Sequence, residues 1–212
     1  NLLVISKLSE ILYKWYGTEL IWTDSQAKIQ SGHLDKDHEY KNEFFKVQMG
    51  MPHGHDLINH DIEKLAEQLK DGKEQTVVFD SFFPHVKGVA SRVVVDGEYM
   101  GTVFAYPFFS GSLKDKEVKE LLSTMTEAGA SADEAEEAIK HLHELGESDV
   151  EYLHELVELV GEEIVEFHEE ITKREHRIKE LNSELGDKYR YHMMIGKSKK
   201  MQQIYHLLEK VS

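Results

Sequence analysis

A regular spacing of apolar residues over residues 150–185 constrains the fold of this chain more than any other feature. The positions follow one another by alternating steps of three and four residues: Val150, Leu153, Val157, Val160, Ile164, Phe167, Ile171, Arg174, Ile178, Leu181 and Leu185. Only Arg174 is not apolar. Because this spacing places every position on one side of a helix, it predicts a long helix that forms a left-handed coiled coil.

The second half of this helix is predicted to pair with a second copy of the chain. Over residues 169–185 the apolar stripe is narrow and flanked by charges, and a lone helix would leave it in water. We therefore predict a parallel homodimer, with a helical hairpin inside one chain as the alternative. Leu156 and Leu159 widen the stripe in the first half, which indicates packing against its own domain there. The expected dimer interface is Val157, Val160, Ile164, Phe167, Ile171, Arg174, Ile178, Leu181 and Leu185.

The residues before this helix predict an α+β domain. Residues 18–110 hold about five segments typical of strands, among them "QTVVFDSFF" and "GVASRVVV". Asp96-Gly97 is the strongest short hairpin signal in the chain. Apolar residues at helical spacing predict helices at the start of the chain, ending near Gly17, over residues 56–71, and after residue 113. Hairpin-joined strands with helices grouped elsewhere predict an antiparallel sheet with flanking helices.

Composition excludes several classes of function. The chain has 212 residues, with 40 acidic against 25 basic side chains, and so large a negative charge disfavours direct binding to nucleic acid. The absence of cysteine excludes disulfides, zinc–thiolate sites and cysteine nucleophiles. No arrangement of a nucleophile and a base is evident, so we expect no enzyme activity from these residues. No apolar run approaches the roughly 18 residues of a membrane helix, and a cytoplasmic location is expected.

The last residues contain Gly196-Lys197-Ser198, the final letters of a phosphate-binding loop, but Tyr191 stands where that motif requires its first glycine. The segment "MIGKSKKMQQIYHLLEKVS" instead resembles the entry to the AAA+ ATPase domain of sigma-54-dependent transcription activators. The resemblance implies that the nucleotide-binding loop lies beyond Ser212, and that the full-length partners are the AAA+ domain, sigma-54 RNA polymerase and DNA. The matching residues are Ile195, Gly196, Ser198, Met201, Gln202, Leu207 and Val211.

The segment "GVASRVVVDGEYMGTVFAYPF" is similar to the late hairpin of PAS/GAF-like sensors, particularly the PocR-type sensory family. That family usually carries cysteines near this hairpin, whereas this chain has "DSFFPHVKG" there. The two resemblances imply a PocR-type sensory domain over residues 1–147, a coiled-coil dimerisation and signalling helix over 148–186, and a linker with the first AAA+ helix over 187–212. Together they imply a regulatory domain that binds an unknown small molecule and controls the ATPase through the dimer.

A sensor of this kind would hold its ligand between the sheet and the covering helices. The candidate ligand-binding residues are Trp22, Phe79, His85, Arg92 and Tyr106, for each of which core or surface packing alone is the alternative. Two other functions stay open: a structural dimerisation module without a ligand, and a metal-responsive sensor that uses His53, His55 and His60. Gly161 and Arg174 are predicted to mark a hinge and a weak point through which the helix pair changes state.

Overall fold

The computed structural model describes residues 2–30 and 40–197. In chain order its elements are α1 Leu2–Tyr16, β1 Glu19–Asp24, α2 Glu43–Gly50, α3 Gly54–Asp71, β2 Thr76–Asp80, β3 Val86–Val95, β4 Glu98–Ser110, α4 Asp115–Glu127, α5 Ala132–Lys140, β5 Glu144–Leu145 and α6 Glu147–Lys197. The segment from Ser198 onward, which carries most of the resemblance to the AAA+ entry, lies outside the described residues.

The strands form one sheet in the order β1-β4-β3-β2, in which all neighbours are antiparallel, and the two-residue β5 adds a short parallel pairing to β4. Strands β3 and β4 are joined by Asp96 and Gly97, whose φ values of 52° and 81° are the left-handed values that a two-residue hairpin turn requires. The predicted α+β class, the antiparallel sheet and this hairpin are confirmed.

Helices cover the sheet on both faces. On one face, inward residues such as Phe104 and Tyr106 of β4 pack against α2, α3, α4 and α5. On the other face, Val103, Ala105 and Phe108 of the same strand pack against α1 and the first part of α6. Every residue of β4 from Gly101 to Phe109 is buried as a result. The sheet is therefore a middle layer between two helical layers.

Buried polar contacts fix the start of α2. Asn42 caps this helix by accepting a hydrogen bond from the Phe45 N–H at 2.9 Å, and its Nδ2 donates to the Gly17 carbonyl at 2.7 Å. The carboxylate of Glu19, on β1, accepts from the N–H groups of Lys41 and Asn42. These bonds attach the start of α2 to the turn between α1 and β1. They thereby fix where the inward residues of α2 contact the sheet.

The chain divides into two compact units, Asn1–Phe167 and His168–Ser212, and α6 contributes to both. In the first unit, Val157 and Val160 have no exposed surface and Ile164 is 9% exposed, because all three pack against β3 and β4. Their own chain already covers these side chains, so the dimer interface expected from the sequence is corrected by removing them. Phe167, at the end of this unit, is partly buried.

In the second unit the same stripe of α6 faces solvent. Ile171, Ile178 and Leu181 are 39%, 57% and 41% exposed, and Arg174 makes an ion pair with Glu170 one turn earlier. The side chain of Leu185 lies outside the part that the structure describes. These exposed positions leave the coiled-coil pairing of this unit a prediction.

Gly161 allows a close approach between α6 and the sheet. Helix α6 continues through it without a break, and a Cβ placed there would lie 3.2 Å from the Ser91 hydroxyl oxygen and 3.7 Å from a methyl group of Val103. The missing side chain therefore lets α6 pack close to β3 and β4. The hinge at Gly161 stays a prediction.

Candidate functional site

A chain of four polar groups lies inside the apolar core between the sheet and helices α2 and α3. The Asp61 carboxyl of α3 lies 3.0 Å from the Ser81 hydroxyl, which follows β2, and that hydroxyl lies 3.0 Å from the Tyr106 hydroxyl of β4. The Tyr106 hydroxyl in turn donates to Oε1 of Gln48, on α2, at 2.9 Å. We call Gln48, Asp61, Ser81 and Tyr106 the polar chain.

Each member is directed inward by its own element. Asp61 lies beside Ile58, Ile62 and Leu65, which form the apolar stripe of α3, so it is carried into the core and is only 8% exposed. Tyr106 alternates along β4 with residues of the opposite face and is fully buried. Helices α2 and α3, strand β4 and the segment after β2 thus place one polar group each at the same point.

Aromatic rings surround the phenol of the polar chain. The Tyr106 ring stacks on Phe79 at a centroid distance of 6.3 Å and an angle of 18°. Phe44 and Phe45, from α2, meet the same ring edge-on at 6.5 and 6.0 Å. Phe83 continues the packing, with its ring centroid 5.4 Å from that of Phe44. The Tyr106 hydroxyl and the Gln48 amide therefore lie in a low-dielectric environment in which each polar contact gains strength, whereas Ser81 is only partly buried.

Burial controls the ionisation of this site. Removal from water raises the pKa of the Asp61 carboxyl, against the lowering effects of the Phe82 N–H, the Ser81 hydroxyl, His60 and Lys64. Burial also raises the pKa of the Tyr106 phenol, so its hydroxyl keeps its proton. Both groups are thus biased toward their neutral forms.

One end of the polar chain is open. Nε2 of Gln48 is buried and has no hydrogen-bond partner among the residues described, although the side-chain oxygen of the same amide is bonded to Tyr106. An unpaired N–H donor in the core costs about 1–3 kcal/mol. The arrangement can therefore offer a hydrogen bond to a molecule that enters this part of the core.

The structure brings together two of the five residues that the sequence suggested for a ligand site, namely Phe79 and Tyr106. Trp22 packs on the opposite face of the sheet, with α1 and α6. His85 is exposed and its Nε2 lies 3.1 Å from a carboxylate oxygen of Glu120. Arg92 binds the Gly72 carbonyl just after α3. The polar chain is thus built from different residues than the sequence indicated.

Arg92 does not point into the site. Its guanidinium donates to the Gly72 carbonyl at 2.9 Å, and its Nε donates to the side-chain oxygen of Gln75 at 3.0 Å. These bonds satisfy carbonyl groups where the chain leaves α3 and enters β2. The predicted role of Arg92 as a ligand-binding residue is replaced by this structural one.

Sequence reasoning missed Gln48, Asp61 and Ser81. The usable signal was at Asp61, an acidic residue set between the apolar positions of the α3 stripe. Gln48 and Ser81 gave none, because both lie in short segments of mixed polarity whose inward side depends on the tertiary fold.

The histidines suggested for a metal site do not form one in the described structure. His53, His55 and His60 are all exposed, and Nδ1 of His53 lies 3.4 Å from a carboxylate oxygen of Asp56. Within residues 2–30 and 40–197, no three His, Cys, Asp or Glu side chains are grouped so that they could hold a metal ion.

The comparisons with known proteins give no relative from which a function could be transferred. No protein-family model matches the sequence, and no curated protein is significantly similar to it. Among the described helices, none has the length and apolar character needed to cross a membrane. The functional argument therefore depends on the geometry of the polar chain.

Proposed function

We propose that the first unit is a sensory domain that binds a small molecule at the polar chain, between the sheet and helices α2 and α3. The observation that carries this proposal is the unpaired Nε2 of Gln48 in a buried, aromatic environment. A core selected for stability alone gains nothing from such a group, whereas a ligand acceptor would satisfy it.

The fold is compatible with this role. A mainly antiparallel sheet carries the site on one face and, on the other, the first part of α6, in the way expected of a PAS/GAF-like sensor of the PocR type. Val103 and Ala105 of β4 contact the α6 side, while Phe104 and Tyr106 of the same strand contact the site side. A ligand that shifts β4 would therefore change the surface on which α6 rests.

The second part of the proposal is a homodimer in which the α6 helices pair. Ile171, Ile178 and Leu181 form an exposed apolar stripe at coiled-coil spacing, and pairing with a second copy would remove this stripe from water. A ligand could act on the pair only if it bound two arrangements with different affinity. In this proposal the output is control of a AAA+ ATPase in a cytoplasmic sigma-54-dependent activator, supported by the resemblance of residues 195–211 to the AAA+ entry.

A purely structural dimerisation module is the second candidate. The dense ring packing around Tyr106, in which Phe44, Phe45 and Phe83 are fully buried, favours it because such a core is stable without an added molecule. In this interpretation the cost of the unpaired Gln48 amide is simply tolerated.

A thermal-shift screen of small metabolites distinguishes the two candidates. The matched variant is Gln48→Met, which has nearly the same volume but no hydrogen-bonding amide. A sensor is expected to give compounds that raise the Tm of the natural protein and not that of the variant. Compounds that shift both proteins equally, or a broad metabolite collection that shifts neither, would favour the structural module.

A further inference from the structure

The polar chain contains more contacts than its hydroxyl groups can supply with protons. Three contacts of 3.0, 3.0 and 2.9 Å link Asp61, Ser81, Tyr106 and Gln48 in that order, and each needs one hydrogen. The hydroxyls of Ser81 and Tyr106 provide one hydrogen each. The third must come from one end of the chain, either from the Asp61 carboxyl or from the Gln48 amide.

Only two arrangements satisfy all three contacts and also keep both hydroxyl hydrogens within the chain. If Asp61 is protonated, it donates to Ser81, Ser81 donates to Tyr106, and Tyr106 donates to Oε1 of Gln48. If Asp61 is ionised, every hydrogen bond reverses, and the Gln48 amide must turn so that its Nε2 donates to the phenol. An ionised Asp61 with the amide unturned would leave one of the three contacts without a hydrogen, which is unfavourable for buried polar groups.

The orientation of the amide selects between them. Oε1 of Gln48 faces the Tyr106 hydroxyl and Nε2 is directed away from it. We propose that Asp61 carries a proton in this structure, and that this proton, relayed through Ser81 and Tyr106, holds the Gln48 amide with its N–H groups free. The polar chain is thus a proton-coupled switch between α3 and α2.

The surroundings of Asp61 are consistent with a neutral carboxyl. On its own helix, Asp61 interacts electrostatically with His60 and Lys64, both of which are exposed. From the segment after β2 it meets the Ser81 hydroxyl and the Phe82 N–H, which donates to Oδ2 at 2.8 Å in either arrangement. From β4 it meets the phenol of Tyr106. No cation contacts this carboxyl at ion-pair distance within the described residues, and burial therefore favours the protonated form.

The switch determines which ligand chemistry the site accepts. With Asp61 protonated, the free Nε2 of Gln48 offers a donor, and the matching ligand is an uncharged molecule with an acceptor oxygen or nitrogen. With Asp61 ionised, the turned amide would offer its oxygen and favour a donor instead. This consequence depends on the proposed ligand-binding function, whereas the proton assignment does not.

The test uses the protein alone and titrates two side chains by NMR. The ¹³C resonance of the Asp61 carboxyl reports its protonation, and the side-chain ¹⁵N–H₂ resonances of Gln48 report the amide. We expect Asp61 to stay neutral to a higher pH than an exposed carboxyl does, and both signals to change at one common midpoint as the pH rises. In Tyr106→Phe, the Gln48 signals should no longer follow the titration of Asp61, because the relay is cut. An Asp61 that ionises in the range of an exposed carboxyl, or a Gln48 response that survives in Tyr106→Phe, would overturn the proposal.

A stability measurement gives an independent reading. A raised pKa in the folded state means that Asp61 contributes most stability at low pH and loses it as the pH rises through the folded value. Relative to Asp61→Asn, the unfolding equilibrium constant of the natural protein should increase by up to tenfold per pH unit above the unfolded carboxyl pKa of about 3.9. Any loss of stability that the asparagine itself causes is the same at every pH. The test therefore uses only the change with pH in the ratio of the two unfolding constants. A flat or falling ratio contradicts the proton assignment, and neither result depends on whether a ligand exists.

Discussion

Replacing Gln48 by methionine should leave the protein as stable as before or make it more stable, although Gln48 is fully buried and hydrogen-bonded. The substitution keeps the length of the side chain and removes the buried N–H groups that have no partner among the described residues. The matched control is Asn42→Leu, because Asn42, the N-cap residue of α2, is a second buried amide whose two polar atoms are both satisfied.

The magnitudes follow from the contacts of each amide. At Gln48 the variant relieves an unpaired donor worth about 1–3 kcal/mol and loses one hydrogen bond worth about 1 kcal/mol. The Tyr106 hydroxyl keeps an acceptor by turning its hydrogen toward Ser81, 3.0 Å away, which then donates to an ionised Asp61. The free energy of unfolding should therefore rise by about 0–2 kcal/mol. At Asn42 the variant loses a helix cap worth about 1 kcal/mol and leaves the buried Gly17 carbonyl unpaired, for a total loss of about 2–4 kcal/mol.

Urea unfolding at one fixed protein concentration measures both changes, with the concentration held constant because self-association adds to apparent stability. The midpoints of the two variants should differ by roughly 0.7 M or more for slopes of about 1–3 kcal/mol per M. If Gln48→Met destabilises the protein as much as Asn42→Leu does, the Gln48 amide is fully satisfied in solution. The argument for a ligand group at this position then fails.

Three further variants test the apolar stripe of α6 and the backbone conformation at Gly17. Ile171→Glu combined with Ile178→Glu should convert the dimer to a monomer in analytical ultracentrifugation, and an unchanged sedimentation coefficient would contradict pairing through this stripe. Arg174→Leu should act in the opposite direction and tighten the dimer, by about 1 kcal/mol per helix from the added apolar contact. A looser dimer would show that the ion pair of Arg174 with Glu170 supports the pairing of the helices. Gly17→Ala should lower the free energy of unfolding by about 1–2 kcal/mol, because φ is 67° there and a Cβ would meet the His143 ring at 2.5 Å; an unchanged urea midpoint would refute this.

Local sequence signals predicted those parts of the fold that local physics controls. The Asp96-Gly97 turn is one example, because its positive φ values select glycine and aspartate directly. The stop of α1 at Gly17 is another, since this residue adopts the left-handed conformation that ends many helices. Ser131 is a third, because a serine before a helix with an acidic first turn caps α5 by accepting from the Glu134 N–H.

The heptad stripe shows where local signals stop being sufficient. Spacing by three and four residues predicts that one side of a helix is covered. It does not predict which part of the protein, or which partner, covers that side. Val157 and Val160 are covered by the sheet of their own chain, while Ile171 and Ile178 on the same stripe are exposed. The distinction depends on where the sheet ends, which no local pattern encodes.

The candidate site was less predictable than the fold because it forms from residues far apart in the chain. Gln48 and Tyr106, whose side chains are joined at 2.9 Å, are separated by 58 positions. Aromatic residues near the sheet could be selected by composition, which recovered Phe79 and Tyr106. The polar partners could not, since nothing local distinguishes an inward Gln48 from the other polar residues of its segment.

The double burial of β4 has a consequence for how the chain must be made. A strand that is apolar on both sides, as from Val103 to Phe109, depends on helices that are synthesised both before and after it. One side waits for the stretch around Leu153 to Ile164, which emerges roughly 50 residues later and thus about 3–10 seconds later at typical synthesis speed. A product that stops near Gly111 would leave that side covered by α1 alone and should collect in inclusion bodies.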